Sequence, residues 1–215
     1  MEYLDVYDTN GNLIGMDSRE NVHKNGLWHK TVHCWLYDRD GNVYFQIRKD
    51  RGTFYTTASG HVQAGETVEE AFVREIKEEI GIILLPENAI FVDEVLFKMD
   101  KVKEDGTTFK DRAFANVYLS EFHDSISSFR FDIEELNGLA KCSALATLEL
   151  FKGNVTSIKG SIIVPENDSN KEEPKEFFAS DFLVNEGENL LEKYGDVLRK
   201  IVELWKQNRE KNNME

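Results

Sequence analysis

One stretch constrains this chain more than any other: GHVQAGETVEEAFVREIKEEIGI, residues 60–82. Its second half specifies a helix. Thr67 and Glu70 have the spacing of a capping box, and Gly81 stands where a left-handed cap would end the helix. Val68, Phe72, Ile76 and Ile80 recur at helical spacing and make an apolar stripe. The same helix carries Glu75, Glu78 and Glu79 within five positions. Like charges three and four apart on a helix repel. Such a run is either a solvated face or a set of carboxylates gathered for a cation. By helical geometry the three glutamates share one side, away from the stripe, so the cluster is expected outside the core. The glycine-bearing turn from Gly60 through Gly65 to Glu66 can bring carbonyls and a further carboxylate back toward that side. An all-oxygen set of this kind suits Mg²⁺ or Mn²⁺ rather than zinc.

The rest of the chain reads as an α/β layered arrangement. LDVYD and NLIGM flank Thr9-Asn10-Gly11 and predict a short hairpin over residues 1–20. TVHCWLYD and VYFQIRK flank Arg39-Asp40-Gly41-Asn42 and predict a longer one. RGTFYTTASG reads as an irregular lead into the glutamate helix. FVDEVLFKM and RAFANVYLS are expected strands joined by a charged loop spanning residues 100–111. SALATLELF predicts a short helix, and PENDSNKEEPKE a loop or partly disordered linker. Leu190, Tyr194, Val197, Leu198, Ile201 and Trp205 line one face of a C-terminal helix.

Residues 60–82 resemble the Nudix box of the Nudix hydrolases. Gly60, Glu66, Arg74, Glu75, Ile76, Glu78, Glu79, Gly81 and Ile82 fall at each place of its pattern. The resemblance implies a Nudix fold: an α/β/α sandwich with a mixed β-sheet and a loop–helix–loop box, here with a C-terminal helix. The expected organisation is one domain over residues 1–215, with a helical extension at about 177–208. The implied activity is hydrolysis of a diphosphate linked to another moiety, by water attack with Mg²⁺ or Mn²⁺. Glu75, Glu78, Glu79 and the Gly60 carbonyl would hold the metal. Glu79, or a glutamate elsewhere, would be the base, with Glu78 also in the catalytic set. Glu66 and Arg74 would brace the loop, and Gly81 would end the helix. Arg48 and Arg51, with Lys49, follow a strand and either meet substrate phosphates or lie on ordinary surface.

LDVYDTNGNLIG, NVHKNGLWHKTVHCWLYD and FQIR further resemble the isopentenyl-diphosphate-isomerase-like branch, and DFLVNEGENLLEKYGDVLRKI does so more loosely. Isomerases of that branch carry a cysteine before the box Gly-His, where this chain has Ser59. They also carry a glutamate where Asp111-Arg112-Ala113 supplies alanine. His23, His29 and His61 are similar to that branch's metal-holding histidines, with structural roles as the alternative. Glu134 and Glu135 resemble an acidic pair that precedes a strand in many Nudix enzymes and read as a solvated pair, with a catalytic one as the alternative; His33, Cys34, Trp28, Phe54 and Tyr55 read as packing.

The formal charge of −14 argues against nucleic-acid polymers and anionic membranes as partners. A small-molecule diphosphate remains compatible, because a bound metal reverses the local field. The longest apolar runs fall short of a membrane span, and the acidic N-terminus does not read as a signal peptide. Cys34 and Cys142 are too few for a disulfide framework. The expectation is a reduced cytoplasmic protein, with a homodimer possible. Three functions stay open: a hydrolase first, then an isopentenyl-diphosphate isomerase, then a nucleotide-sensing domain without turnover.

Overall fold

The structure is a computed structural model that describes residues 1–50, 52–103, 105–167, 169–182 and 190–212, the side chains of 190–193 and 212 excepted. Near the N-terminus, β1 (Tyr3–Tyr7) and β2 (Leu13–Ser18) pair antiparallel. α1 (Arg19–Asn25) follows, capped by Ser18 and ended by Gly26 at φ +66°. β1 also ties down the segment before the glutamate helix. Ala64 N–H donates to Tyr3 O at 2.8 Å, and Gly65 N–H to Asp5 Oδ2 at 3.0 Å.

β3 (His29–Tyr37) and β4 (Asn42–Arg48) leave the next turn together, but their ladder holds one pair, Tyr37 with Val43. They then diverge, and β5 (Ala58–His61) pairs with β3 over Thr31–Cys34. Buried Thr57 fills the fork. Its N–H donates to Cys34 O at 3.0 Å, its Oγ1 accepts from Leu36 N–H at 2.8 Å, and the same hydroxyl donates to Tyr44 O. The expected irregular lead therefore ends in a strand. What decides this is the backbone of β3, which Ser59, Gly60 and His61 satisfy, and no local propensity announces it.

The eight-stranded sheet runs β10-β9-β8-β4-β3-β7-β6, with β5 attached to β3. β3 and β7 are parallel and the other pairs antiparallel, so the sheet is mixed. α2 (Val68–Ile80) covers one face, burying Phe72, Ile76 and Ile80 against Cys34 and Leu36. α3 (Ala144–Phe151) and α4 (Leu190–Asn212) cover the other, with Leu148, Val197, Leu198 and Ile201 against Trp35 and Phe45. This is the α/β/α sandwich.

Three expectations change in the second half. β6 (Ile90–Val102) and β7 (Thr108–Glu121) extend through most of the anticipated 100–111 loop. Asp100 stands opposite Lys110 and ion-pairs Arg112 at 2.6 Å, so charges that read as loop are cross-strand pairs. β8 (Leu136–Ser143), β9 (Ile158–Glu166) and β10 (Ser169–Phe177) went unread in the sequence. PENDSNKEEPKE falls mostly in the last two rather than in a linker. β10 is an edge strand exposed on most of its length, so its ladder with β9 holds it without an apolar alternation in its own sequence. Of the helical extension expected at about 177–208, Phe177 closes β10, Ala179–Asp181 form a single 3₁₀ turn, and α4 accounts for the described part from Leu190. Residues 183–189 and the Leu190 side chain lie outside the described set.

Candidate active site

α2 has the caps its sequence predicts. Glu70 N–H donates to Thr67 Oγ1 at 3.2 Å and Thr67 N–H to Glu70 Oε2 at 2.9 Å, while Gly81 takes φ +72°. These fix the helix so that Glu75 and Glu78 line a cleft of about 320 Å³ beside β5, with Glu79 behind them against β5 itself. They are not equivalent. The Glu78 side chain is 59% exposed, that of Glu75 14%, and that of Glu79 5%. The expectation that the cluster lies outside the core is therefore wrong for Glu79. β5 lies over this side of α2, and Ser59 N–H donates to Glu79 Oε2 at 2.7 Å. Burial pushes the Glu79 carboxyl well up from its ordinary value; the Ser59 hydrogen bond opposes this and Glu75 adds to it. Burial likewise pushes Glu75 up to about 7, against the hydrogen bond from Arg74.

Arg74 organises the loop. It donates to Glu66 from Nε and Nη2, each at 2.8 Å, and Nη2 also reaches His61 O at 2.9 Å. Its Nη1 donates to Glu75 Oε1 at 2.7 Å and Glu78 Oε2 at 3.1 Å. Glu66 and Arg74 thus form the expected brace, and Arg74 also partly neutralises two of the crowded carboxylates. Gly60 leaves room for the Glu75 carboxylate, which a Cβ there would displace. At Gly81 a Cβ would meet Arg130. Arg48 lines the cleft with Nη1 3.9 Å from Glu79 Oε1, while its Nε pairs Asp50 at 3.2 Å. Arg51 lies outside the described residues.

The cleft also contains His23 and His61, and behind them His29. Their ligand atoms all lie within 4.8 Å of one another. His23 Nδ1 lies 2.8 Å from Arg19 O and His29 Nδ1 3.1 Å from Leu27 O. A carbonyl only accepts, so both rings carry their proton on Nδ1 and turn a bare Nε2 inward. His61 Nε2 meets His23 Nε2 at 3.3 Å, and His29 Nε2 sits 3.5 Å from Asp111 Oδ1 without a hydrogen bond. Burial lowers all three: His23 moderately, His29 down to about 4, and His61 well below its usual value. Three neutral imidazoles, one of them with the unbonded buried Nε2 of His29, and the Asp111 carboxylate make a donor set that fits a metal ion. Phe109 stacks on His23 with centroids 4.4 Å apart and closes this side.

Sequence reasoning missed several cleft residues. Phe97 and Met99 fall in an expected strand and Phe109 in the expected loop, and the β6–β7 pairing brings all three to the wall. Asp111 was noted only as part of the segment lacking the isomerase glutamate; the parallel β3–β7 register sets its neighbour Ala113 opposite His29. Glu2 and Arg19 come in with the N-terminal hairpin and α1, and no local motif marks them. Tyr55 and His33, read as packing, line the cleft edge to face with centroids 5.6 Å apart. Glu135, read as solvated, stays exposed but borders the cleft. Cys34 is buried, its thiol pushed far up by desolvation, so it offers no nucleophile in place of Ser59.

A family model described as NUDIX domain matches residues 27–142, more than half of the chain. The chain belongs to the Nudix family. Its relatives include Nudix hydrolases. An uncharacterized Nudix hydrolase of Clostridium acetobutylicum is 35% identical, over 65% of this chain and 69% of its own length. An isopentenyl-diphosphate Delta-isomerase of Photorhabdus laumondii is 29% identical, over 37% of this chain and 48% of its own length. A crystal structure of a Deinococcus radiodurans protein has the same fold, with a TM-score of 0.51 at 20% identity, covering 71% of this chain and 89% of that one. The Nudix match does not reach the hairpin and helix that supply Glu2, Arg19 and His23 to the cleft.

Proposed function

We propose that this Nudix protein hydrolyses the diphosphate bond of a nucleoside diphosphate linked to another moiety, or of a similar compound, with Mg²⁺ or Mn²⁺. The observation that carries the reading is the crowding of two desolvated carboxyls beside β5: Glu75 in the cleft next to Gly60, and Glu79 behind it on the Ser59 N–H. Glu75, Glu78, Glu79 and the Gly60 carbonyl would hold the ion. When bound, it neutralises the diphosphate and lowers the pKa of an attacking water. Glu79 takes the proton from that water, its carboxylate oriented by Ser59 N–H; Glu135 is the alternative base. Arg48 contacts a phosphate oxygen, and Glu66 with Arg74 keeps the loop in register. We read residues 1–215 as one domain and the protein as cytoplasmic, with buried, unpaired Cys34 and Cys142 as the support.

The test is a panel of diphosphate compounds with Mg²⁺ or Mn²⁺, run on the protein and Glu79→Gln in parallel. Turnover lost in the variant supports the reading; silence of the parent across the panel removes it. If one compound nonetheless binds without turnover, a sensing domain is the better description. The second reading, an isopentenyl-diphosphate isomerase, draws on the histidine set with Asp111. Ser59 and Ala113 stand against it, and absence of allylic proton exchange in deuterated water would end it.

A further inference from the structure

The two ends of the sheet are finished differently. β10 carries Lys171, Glu172, Glu173, Lys175 and Glu176 around Pro174, the charges and proline that blunt an edge. β6, at the other end, is 13 residues long and has no strand on its outer side among the described residues. It exposes Ile90, Phe91, Leu96 and Val102. These apolar positions alternate with the charges Asp93, Glu94, Lys98, Asp100 and Lys101, and a long unpaired edge that interleaves the two is a template for strand addition.

We propose that β6 is the edge by which two copies of this chain join, antiparallel about a twofold axis at Leu96, into a homodimer with one continuous sheet. The turn after β6 determines which backbone groups are free. Lys103 N–H donates to Thr107 O at 2.8 Å, and the ladder then alternates back along the strand. Odd-numbered residues of β6 bond β7, while Glu94, Leu96 and Lys98 turn N–H and C=O outward. The irregularity between Phe91 and Asp93 limits the free edge to the part after it.

Charge then selects the register. An axis at Glu94 or at Lys98 would set like charges face to face. An axis at Val95 would set Glu94 against Leu96, and one at Phe97 would set it against Asp100. An axis at Leu96 places Leu96 against its own copy and Glu94 against Lys98 of the second copy, twice. Glu94, Leu96 and Lys98 are all exposed, and Lys98 reaches along this face with Nζ 5.5 Å from the Trp28 ring centre. Opposite charges directly across an antiparallel pair stabilise it and like charges disfavour it. The second copy is thus the occupant whose charges fit the edge, and the arrangement does not depend on what the cleft hydrolyses.

Sedimentation velocity on the full chain at micromolar concentration tests this. The expected mass is twice the 24.8 kDa of the chain. Glu94→Lys and Lys98→Glu should each weaken the dimer roughly tenfold or more, because each swap creates two like-charge contacts. The double swap Glu94→Lys/Lys98→Glu should restore it. Leu96→Lys, which puts like charges on the axis, is an independent break. Circular dichroism establishes that each variant is folded, as expected at exposed positions. A monomeric parent, a dimer indifferent to the single swaps, or a double swap that stays monomeric would each overturn the proposal.

Discussion

Two clusters at the cleft solve opposite electrostatic problems on either side of Gly60. On α2, burial makes carboxyls reluctant to ionise: Glu79 is pushed well up and Glu75 to about 7. On α1, β3 and β5, burial makes imidazoles reluctant to protonate: His29 is pushed down to about 4 and His61 well below its usual value. Both clusters are driven toward neutrality, and a cation relieves both, but differently. The glutamates must shed protons to bind it, whereas His23 and His29 already turn bare lone pairs inward. One cluster suits a hard ion and exchange with substrate; the other suits a more tightly held, borderline ion.

The largest expected effect separates the clusters by activity. Glu79→Gln should lower kcat by about 10²–10⁴-fold, the usual scale of a lost general base. His29→Gln should cost much less than that under the same assay. Equal losses would mean that the two clusters act as one centre. A smaller effect concerns metal preference. In calorimetry, His61→Gln should weaken Zn²⁺ binding by about 10–100-fold and leave Mg²⁺ binding intact, with Glu75→Gln doing the reverse. If both substitutions abolish the same binding event, the comparison collapses. Gly60→Ala comes next. Its Cβ would overlap the Glu75 carboxylate, so Mg²⁺ affinity should fall while the thermal transition of the metal-free protein stays cooperative. Unchanged Mg²⁺ affinity would show that Glu75 has room to move.

The smallest effect is on stability against pH in chelator. Glu75 has a folded value raised from 4.5 to about 7, so its contribution is fully present below 4.5 and lost as pH rises through 7. His29 has a folded value lowered from 6.5 to about 4, so its contribution is present above 6.5 and lost as pH falls through 4. The two trends oppose each other in the same window. Melting curves at pH 5 and pH 8 should therefore favour Glu75→Gln over the parent more at pH 8, and His29→Gln more at pH 5. A parallel response of the two variants would contradict the burial on which both shifts rest.

How legible all this was depended on how local the determining contacts are. The ends of α2 were readable because Thr67, Glu70 and Gly81 act within one turn of the helix. The brace between Glu66 and Arg74 followed from the box resemblance and is a contact eight positions apart. β10 was unreadable because its strand character comes from β9's ladder rather than from its own residues. The depth of Glu79 escaped notice for the same reason: helical spacing tells which side a residue faces, and only β5 makes that side an interior.

By itself, then, the sequence determined the family, the capped helix and the identity of the crowded carboxylates, all set by spacing within some twenty residues. Only the tertiary structure decided that His23, His29 and His61 converge, that Asp111 joins them, and that Glu79 is desolvated. Those outcomes depend on β3 accepting β5 on one side and β7 on the other. Pairings between distant segments satisfy backbone hydrogen bonds that no window along the chain contains.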